Sequence, residues 1–196
     1  MRFYLLIPAL LLVLAACRPE TYTPKPRGYF EVALPKRGYQ SFNDPAFPYS
    51  FEYPVYGNIV RDTSFFGQTP ENPYWINIDI PSLGGRIYIS YKAITAAQPL
   101  NKVIEDTYEM TMYHTKRADN IEDMVYHNND AHVHGVLYNV TGNAASAYQF
   151  YLTDSLHHYL RGALYFDVPP NADSLKPVND FLYGDVKHLV ETFRWK

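Results

Sequence analysis

The sequence has 196 residues, about the size of one domain, and 16% of them are aromatic, with 19 Tyr and 11 Phe. That aromatic load excludes a disordered chain, and a formal charge of 17 − 20 = −3 offers no basic field for nucleic acid. A single cysteine excludes an intramolecular disulfide and a multi-thiolate zinc site, so its position, Cys17, becomes the first question.

Met1-Arg2 is a short basic start, and residues 3–16 form a 14-residue apolar run interrupted only by Pro8. That is shorter than the ~20 residues a spanning helix needs and suits a signal-peptide core. The run ends Val13-Leu14-Ala15-Ala16-Cys17, which meets every position of the bacterial lipobox. Cleavage before Cys17 would leave that cysteine as the first residue, with lipid on its thiol and acyl on its amine. Several acyl chains, at ~0.8 kcal/mol per buried methylene, hold a domain on a membrane. An ordinary secretory peptide or an uncleaved anchor is the competing reading, and no other cysteine competes for the role. The expected domain plan is 1–16 signal peptide, 17–28 lipid-anchored proline-rich spacer and 29–196 a single globular domain.

Pro19, Pro24 and Pro26 make the spacer extended and semi-rigid. Aromatics then thicken through Tyr29, Phe30, Tyr39, Phe42, Phe47, Tyr49, Phe51 and Tyr53. Side chains this large fit an N-terminal wrap over the core; the alternative is a contact surface for a glycan or a protein.

Residues 49–53 alternate apolar and polar before Pro54, and 58–63 make a weaker strand. Trp75-Ile76-Asn77-Ile78-Asp79-Ile80 alternates strictly, and a turn at 82–85 returns the chain through 86–91 as a hairpin. Pro99 opens a helix with Leu100, Val103, Ile104, Thr107, Tyr108 and Thr111 or Met112 at helical spacing. Residues 121–126 fit either a last helical turn or a strand. Three strands follow at 133–140, 148–153 and 158–168, the last two joined by a turn at Asp154-Ser155. Asp173 or Ser174 is expected to cap a final helix, with Pro177 in its first turn and a stripe of Val178, Phe181, Leu182, Val186, Leu189, Val190 and Phe193. This order gives an α+β domain, a mostly antiparallel sheet with two main helices.

The densest polar cluster is His127-Asn128-Asn129-Asp130-Ala131-His132-Val133-His134. On a strand, His132 and His134 would share a face, a candidate metal pair if His127, Asp130 or a distant group converged. Two exposed histidines at a strand start are more often solvated, and adjacent His157-His158 point opposite ways. Gly142-Asn143-Ala144-Ala145-Ser146 reads as a turn rather than a phosphate cradle, because a strand pattern follows it. Ser146 carries no signature of an activated nucleophile, and neither a nucleophile elbow nor a Walker loop is present. Asp154-Ser155-Leu156 and Asp173-Ser174-Leu175 match the Asp-Ser/Thr-apolar tripeptide of periplasmic O-glycosylation in Bacteroidetes, so Ser155 and Ser174 are candidate sites beside their roles in a turn and a cap.

Residues 23–30 (Thr-Pro-Lys-Pro-Arg-Gly-Tyr-Phe), 51–54, 142–146, 149–150, 152–155, 160–166 (Leu-Arg-Gly-Ala-Leu-Tyr-Phe) and 191–195 resemble the GldD family of gliding-motility lipoproteins. The resemblance implies a Bacteroidetes envelope lipoprotein needed for gliding and linked to type IX secretion, with no catalytic residues and no cofactor. The element order also fits a Mog1/PsbP-like α/β/α sandwich. Surface-exported lipoproteins of that phylum tend to carry a lysine and paired acids after the cysteine. Arg18-Pro19-Glu20-Thr21 has one acid, so the domain is expected to face the periplasm from the inner or outer membrane. The expected partners are the membrane, through the Cys17 lipid, and other motility or secretion proteins of the envelope. A periplasmic glycan- or metal-binding module is the alternative, and a hydrolase whose site is illegible in sequence is a third.

Overall fold

Isoleucine alternating with polar residues builds the middle of the molecule. In the computed structural model, which describes residues 31–62 and 69–196, Ile76, Ile78 and Ile80 of β4 (Ile76–Ile80) are fully buried on one face of a sheet. The signal-peptide, Cys17 and spacer assignments, and the Tyr29-Phe30 pair, lie outside the described residues. β4 turns through Pro81–Leu83 into β5 (Gly85–Ala93), and Gly84, at φ +60°, takes the left-handed conformation that ends the turn.

Five further strands complete a seven-stranded antiparallel sheet: β3 (Asn58–Arg61), β6 (Ala118–Asn128), β7 (Val133–Gly142), β8 (Tyr148–Thr153) and β9 (His158–Phe166). Their order is β3-β4-β5-β9-β8-β7-β6, which puts β3 and β6 at the edges. A second, three-stranded sheet holds β1 (Tyr39–Phe42), β2 (Tyr49–Pro54) and β10 (Arg194–Trp195).

Two helices complete the fold, α1 (Leu100–Met112) and α2 (Ala172–Thr192). They take opposite faces of the large sheet. On one, Thr107 of α1 meets Tyr159 of β9, and Thr111 meets Gln149 of β8. On the other, Tyr183 of α2 packs on Tyr148, and Leu182 lies over Gly85. The result is the expected α+β class. Val32–Lys196 makes one compact unit.

Most of the described N-terminal aromatics pack in or against the core. Phe47, Tyr49 and Phe51 are buried, and the rings of Tyr49 and Phe51 stack with the fully buried Phe193 just past α2, at centroid separations of 5.8 and 6.4 Å. The segment is fastened to α2 by a buried carboxylate. Asp185 is 1% exposed and sits within the apolar stripe of the helix. It accepts from the Tyr39 hydroxyl at 3.0 Å and from the Tyr56 hydroxyl, and pairs with Arg37 Nε at 3.2 Å. Burial foremost, then Asp185, pushes the Tyr39 hydroxyl up to about 12, so both phenols stay protonated donors. Arg37 also donates to the Phe181 carbonyl at 2.6 Å and lies against Gly184, where a side chain would crowd the guanidinium. Beside it, Tyr39 stacks on His188 at 3.6 Å, and His188 bonds Glu52 of β2 at 2.7 Å.

Two local expectations are corrected, and one open reading is resolved. The cap of α2 is Asn171, whose side chain accepts from the Ser174 N–H, rather than Asp173 or Ser174. The helix therefore starts earlier, and Pro177 lies inside it rather than in its first turn. Finally, residues 121–126 are strand: α1 gives way to a short 3-10 turn at Tyr113–Lys116, and the chain leaves that turn extended.

Candidate interaction site

β6 is the longest strand of the large sheet, 11 residues, and its inner side pairs with β7 from Asn128↔Val133 to Ala118↔Gly142. Among the described residues, no strand pairs with its outer side. The register slips once, at Asp119. Gly142, at φ +94°, makes room for that bulge, since a Cβ there would come within 2.5 Å of the Asp119 nitrogen. The glycine that opens the predicted 142–146 turn is thus explained by the strand edge beside it. Within that turn, Asn143 Oδ1 accepts from the Ala172 N–H at 2.8 Å and so helps cap α2, and Ser146 is fully buried with its hydroxyl donating to the Tyr148 carbonyl. That turn is structural.

The side chains of β6 divide between the sheet's two faces. Met124 faces α2, where the Tyr183 hydroxyl lies 3.6 Å from its sulfur. Ile121 and Asp123 face α1 and line a cavity of about 680 Å3 with Asp119, Asn120, Tyr138, Tyr108, Met112 and Thr115. Tyr108, expected in the buried stripe of α1, is 53% exposed and forms a wall of this cavity instead. The buried stripe is Val103, Thr107 and Thr111. Burial, then Tyr151, Asp123 and Tyr108, raises the Tyr138 hydroxyl to about 12, so at neutral pH it is a neutral donor beside the carboxylates. Among the described residues, neither Asp119 nor Asp123 has an ion-pair partner, and Glu122 is held only by Asn120, at 3.2 Å. Lys116 and Arg117 face elsewhere, into a second cavity of about 540 Å3 with His114, Asn143 and Pro170. Val125 is 64% exposed and Met124 is exposed as well, so the edge carries apolar and acidic side chains together.

The other end of the β6–β7 hairpin corrects the histidine expectation. His132 is not on the strand; it sits in the turn at φ +49°, and β7 begins at Val133. His134 faces His127 across the ladder instead, with their Nδ1 atoms 3.1 Å apart. No group of three His, Cys, Asp or Glu side chains poised for a metal occurs among the described residues. His157 and His158 do separate as expected. His158 Nδ1 meets the Tyr91 hydroxyl at 2.7 Å and its ring stacks on Trp195, whereas His157 is exposed.

Ser155 occupies the tip of the β8–β9 hairpin at φ +70° and is exposed. The turn is made by Asp154, whose Oδ1 accepts from the N–H groups of Leu156, His157 and His158 at 2.8–3.0 Å. Ser174 is exposed in the first turn of α2.

A family model for gliding motility lipoprotein GldD matches residues 19–195. The chain belongs to that family. Membership makes it a membrane-anchored lipoprotein of the cell envelope connected with gliding motility. No curated protein matches the chain. Among solved structures, the cyanobacterial PsbP of Synechocystis sp. is similar, with a TM-score of 0.50 and 12% identity over 83% of this chain and 95% of that one. At that identity the likeness concerns the fold alone, and it agrees with the PsbP-like sandwich read from the element order. The GldD match includes both the Asp185 clamp and the β6 edge. Sequence reasoning missed both. Asp185 falls at +7 from Val178 and −4 from Leu189, so a carboxylate inside the apolar stripe was the available signal.

Proposed function

We propose that this GldD-family protein is a non-enzymatic envelope component that works by holding other proteins of the gliding and type IX secretion apparatus. Lipid on Cys17 anchors it, and the domain faces the periplasm. The observation that carries this reading is the family match, which runs from two positions after Cys17 to residue 195. The geometry adds a long open strand edge beside a groove, a surface suited to docking. Deletion of the gene is expected to abolish colony spreading and reduce type IX-dependent secretion. Normal spreading and secretion in the deletion strain would refute the reading. Cys17→Ala is expected to release the protein from the membrane fraction and to end incorporation of labelled palmitate. Protease added to cells is expected to cut the domain only after the outer membrane is permeabilised.

Ser155 and Ser174 are proposed O-glycosylation sites on the same protein, each exposed on an ordered turn. Intact mass of the native protein tests this: hexose-sized increments that disappear in Ser155→Ala and Ser174→Ala support it, and an unmodified mass excludes it.

A further inference from the structure

The β6 edge has the length to accept another strand, and its charges indicate whose. A strand edge exposes unpaired N–H and C=O groups that bond any extended chain of suitable sequence. Proteins usually shorten or cover such edges, as the four-residue β3 is short at the opposite side of this sheet. Among the described residues nothing pairs with the 11 residues of β6 on its outer side, and Glu122 and Asp123 stand at its centre, one on each face. Two copies of the chain pairing antiparallel about that centre would set carboxylates opposite carboxylates, which opposes self-association. A strand bearing cations there meets the reverse situation. Its cations would face Asp123 on the α1 side and Glu122 on the α2 side, and its apolar residues would lie against Val125 and Met124.

The groove on the α1 side strengthens this assignment. Its walls offer the Asp119 and Asp123 carboxylates, which lack ion-pair partners among the described residues, beside the rings of Tyr108 and Tyr138. Carboxylates with aromatic faces suit a lysine or arginine head. Its volume of about 680 Å3 exceeds what one such side chain needs.

We infer that the outer edge of β6 binds an extended segment of a partner protein by strand addition, with consecutive basic residues of that segment opposite Asp123 and Glu122 and apolar residues opposite Met124 and Val125. This rests on the reading of the protein as a holding component and names the chemistry of what is held.

The test uses the full-length lipidated protein in detergent micelles and a synthetic peptide, Thr-Val-Ile-Lys-Arg-Val-Thr, which matches β6 in antiparallel register. Two control peptides carry Glu-Glu in place of Lys-Arg, or Pro in place of Ile. Binding is measured by fluorescence anisotropy, and hydrogen exchange follows the β6 amides. The basic peptide is expected to bind at least about tenfold more tightly than either control and to slow exchange within residues 118–128. The Asp119→Asn/Asp123→Asn variant is expected to weaken binding about tenfold while its melting temperature stays unchanged. A variant that melts lower is replaced by Glu122→Gln, whose side chain lies on the opposite face. Equal binding of the three peptides, or protection confined to other strands, overturns the proposal. So does a concentration-dependent dimer that β6 substitutions abolish, because the edge would then serve a second copy. Protection of β6 in the protein alone that is lost on deleting residues 18–30 likewise assigns the edge to the chain's own N-terminal segment. None of these outcomes bears on the spreading phenotype of the deletion strain, so the two readings fail separately.

Discussion

The two faces of the seven-stranded sheet are built differently from one alternating sequence. The α2 face is dry: Ile76, Ile78, Ile80, Ile87, Ile89, Phe150, Leu152, Leu160 and Leu164 are all buried to within 2%. A 21-residue helix and the three-stranded sheet close over it. The α1 face carries Asn77, Gln149, Tyr159 and Arg161 under a helix of 13 residues. Several of its contacts are polar. The Tyr159 hydroxyl donates to Thr107 at 2.6 Å, and Arg161 donates to Gln149 Oε1 at 2.6 Å. The dry face supplies most of the burial and hence the stability, because no disulfide is available to a chain with one cysteine. The polar face is less completely covered, and its cavities open at the β6 end. Stability and binding surface are thus divided between the faces.

Truncation should expose this division most strongly. Phe193→Ala on the dry side is expected to lose about 3–5 kcal/mol in denaturant melts, since the ring is fully buried against Tyr49, Phe51 and Trp195. Tyr108→Ala on the α1 side should stay within about 1 kcal/mol, because that ring is half exposed. Equal losses would mean that the faces share the load.

The Asp185 clamp comes next. Asp185→Ala leaves the Tyr39 and Tyr56 hydroxyls without their acceptor and Arg37 without its counter-ion. Because Arg37 is partly exposed and can be solvated, the expected loss is about 2–3 kcal/mol, mostly from the stranded phenols. Faster hydrogen exchange in β1 and β2, with β8 and β9 unchanged, would locate the damage. Loss of protection throughout the sheet would show that the clamp does more than fasten the hairpin. A polar contact on the other face is expected to matter less. Thr111→Val removes the hydroxyl that donates to the Thr107 carbonyl at 2.9 Å and lies 3.3 Å from Gln149 Oε1, for about 1 kcal/mol.

The same division explains which parts of the fold were legible in the sequence. Periodicity records burial, so the β4–β5 hairpin and the α2 stripe, each burying one side, could be read directly. β6 could not. Its sequence Ala-Asp-Asn-Ile-Glu-Asp-Met-Val-Tyr-His-Asn buries almost nothing on either face, so no alternation marks the strand. What makes it a strand is the ladder with β7, a tertiary contact. Four-residue β1 was hidden similarly among prolines and aromatics; its rings, Tyr39 and Phe42, are partly buried, as a wrap over the core requires. The edge that makes β6 a candidate site is therefore also what removed it from view. The start of α2 was misplaced for a local reason, because Asn171, Asp173 and Ser174 are all good caps and only the geometry chooses Asn171.

The smallest expected effect compares one histidine from each face. His114, near Arg161 on the α1 side, has its pKa lowered by burial first and then by that guanidinium. His158, between Tyr91 and Trp195 on the α2 side, is lowered by burial, with Asp154 opposing and His157 assisting. Both are therefore neutral in the folded chain at a pH where the unfolded chain begins to protonate them. A depressed histidine contributes its full share of stability above the unfolded value of 6.5, and that share is lost as pH falls from 6.5 through the folded value. Asp154 does not contribute in this window. Burial raises its pKa, but three backbone N–H bonds outweigh that and hold it low, so its stabilisation is lost only as pH falls below 3.8. Denaturant melts from pH 7.5 to 5 should thus show declining stability, with a shallower decline in His114→Gln and in His158→Gln than in the parent. Because Asp154 offsets part of the burial at His158 and Arg161 adds to it at His114, the two sites need not contribute equally. An unchanged slope in His114→Gln would mean that the α1 side is wet enough to solvate a charged imidazole, and the contrast between the faces would then lie in packing alone.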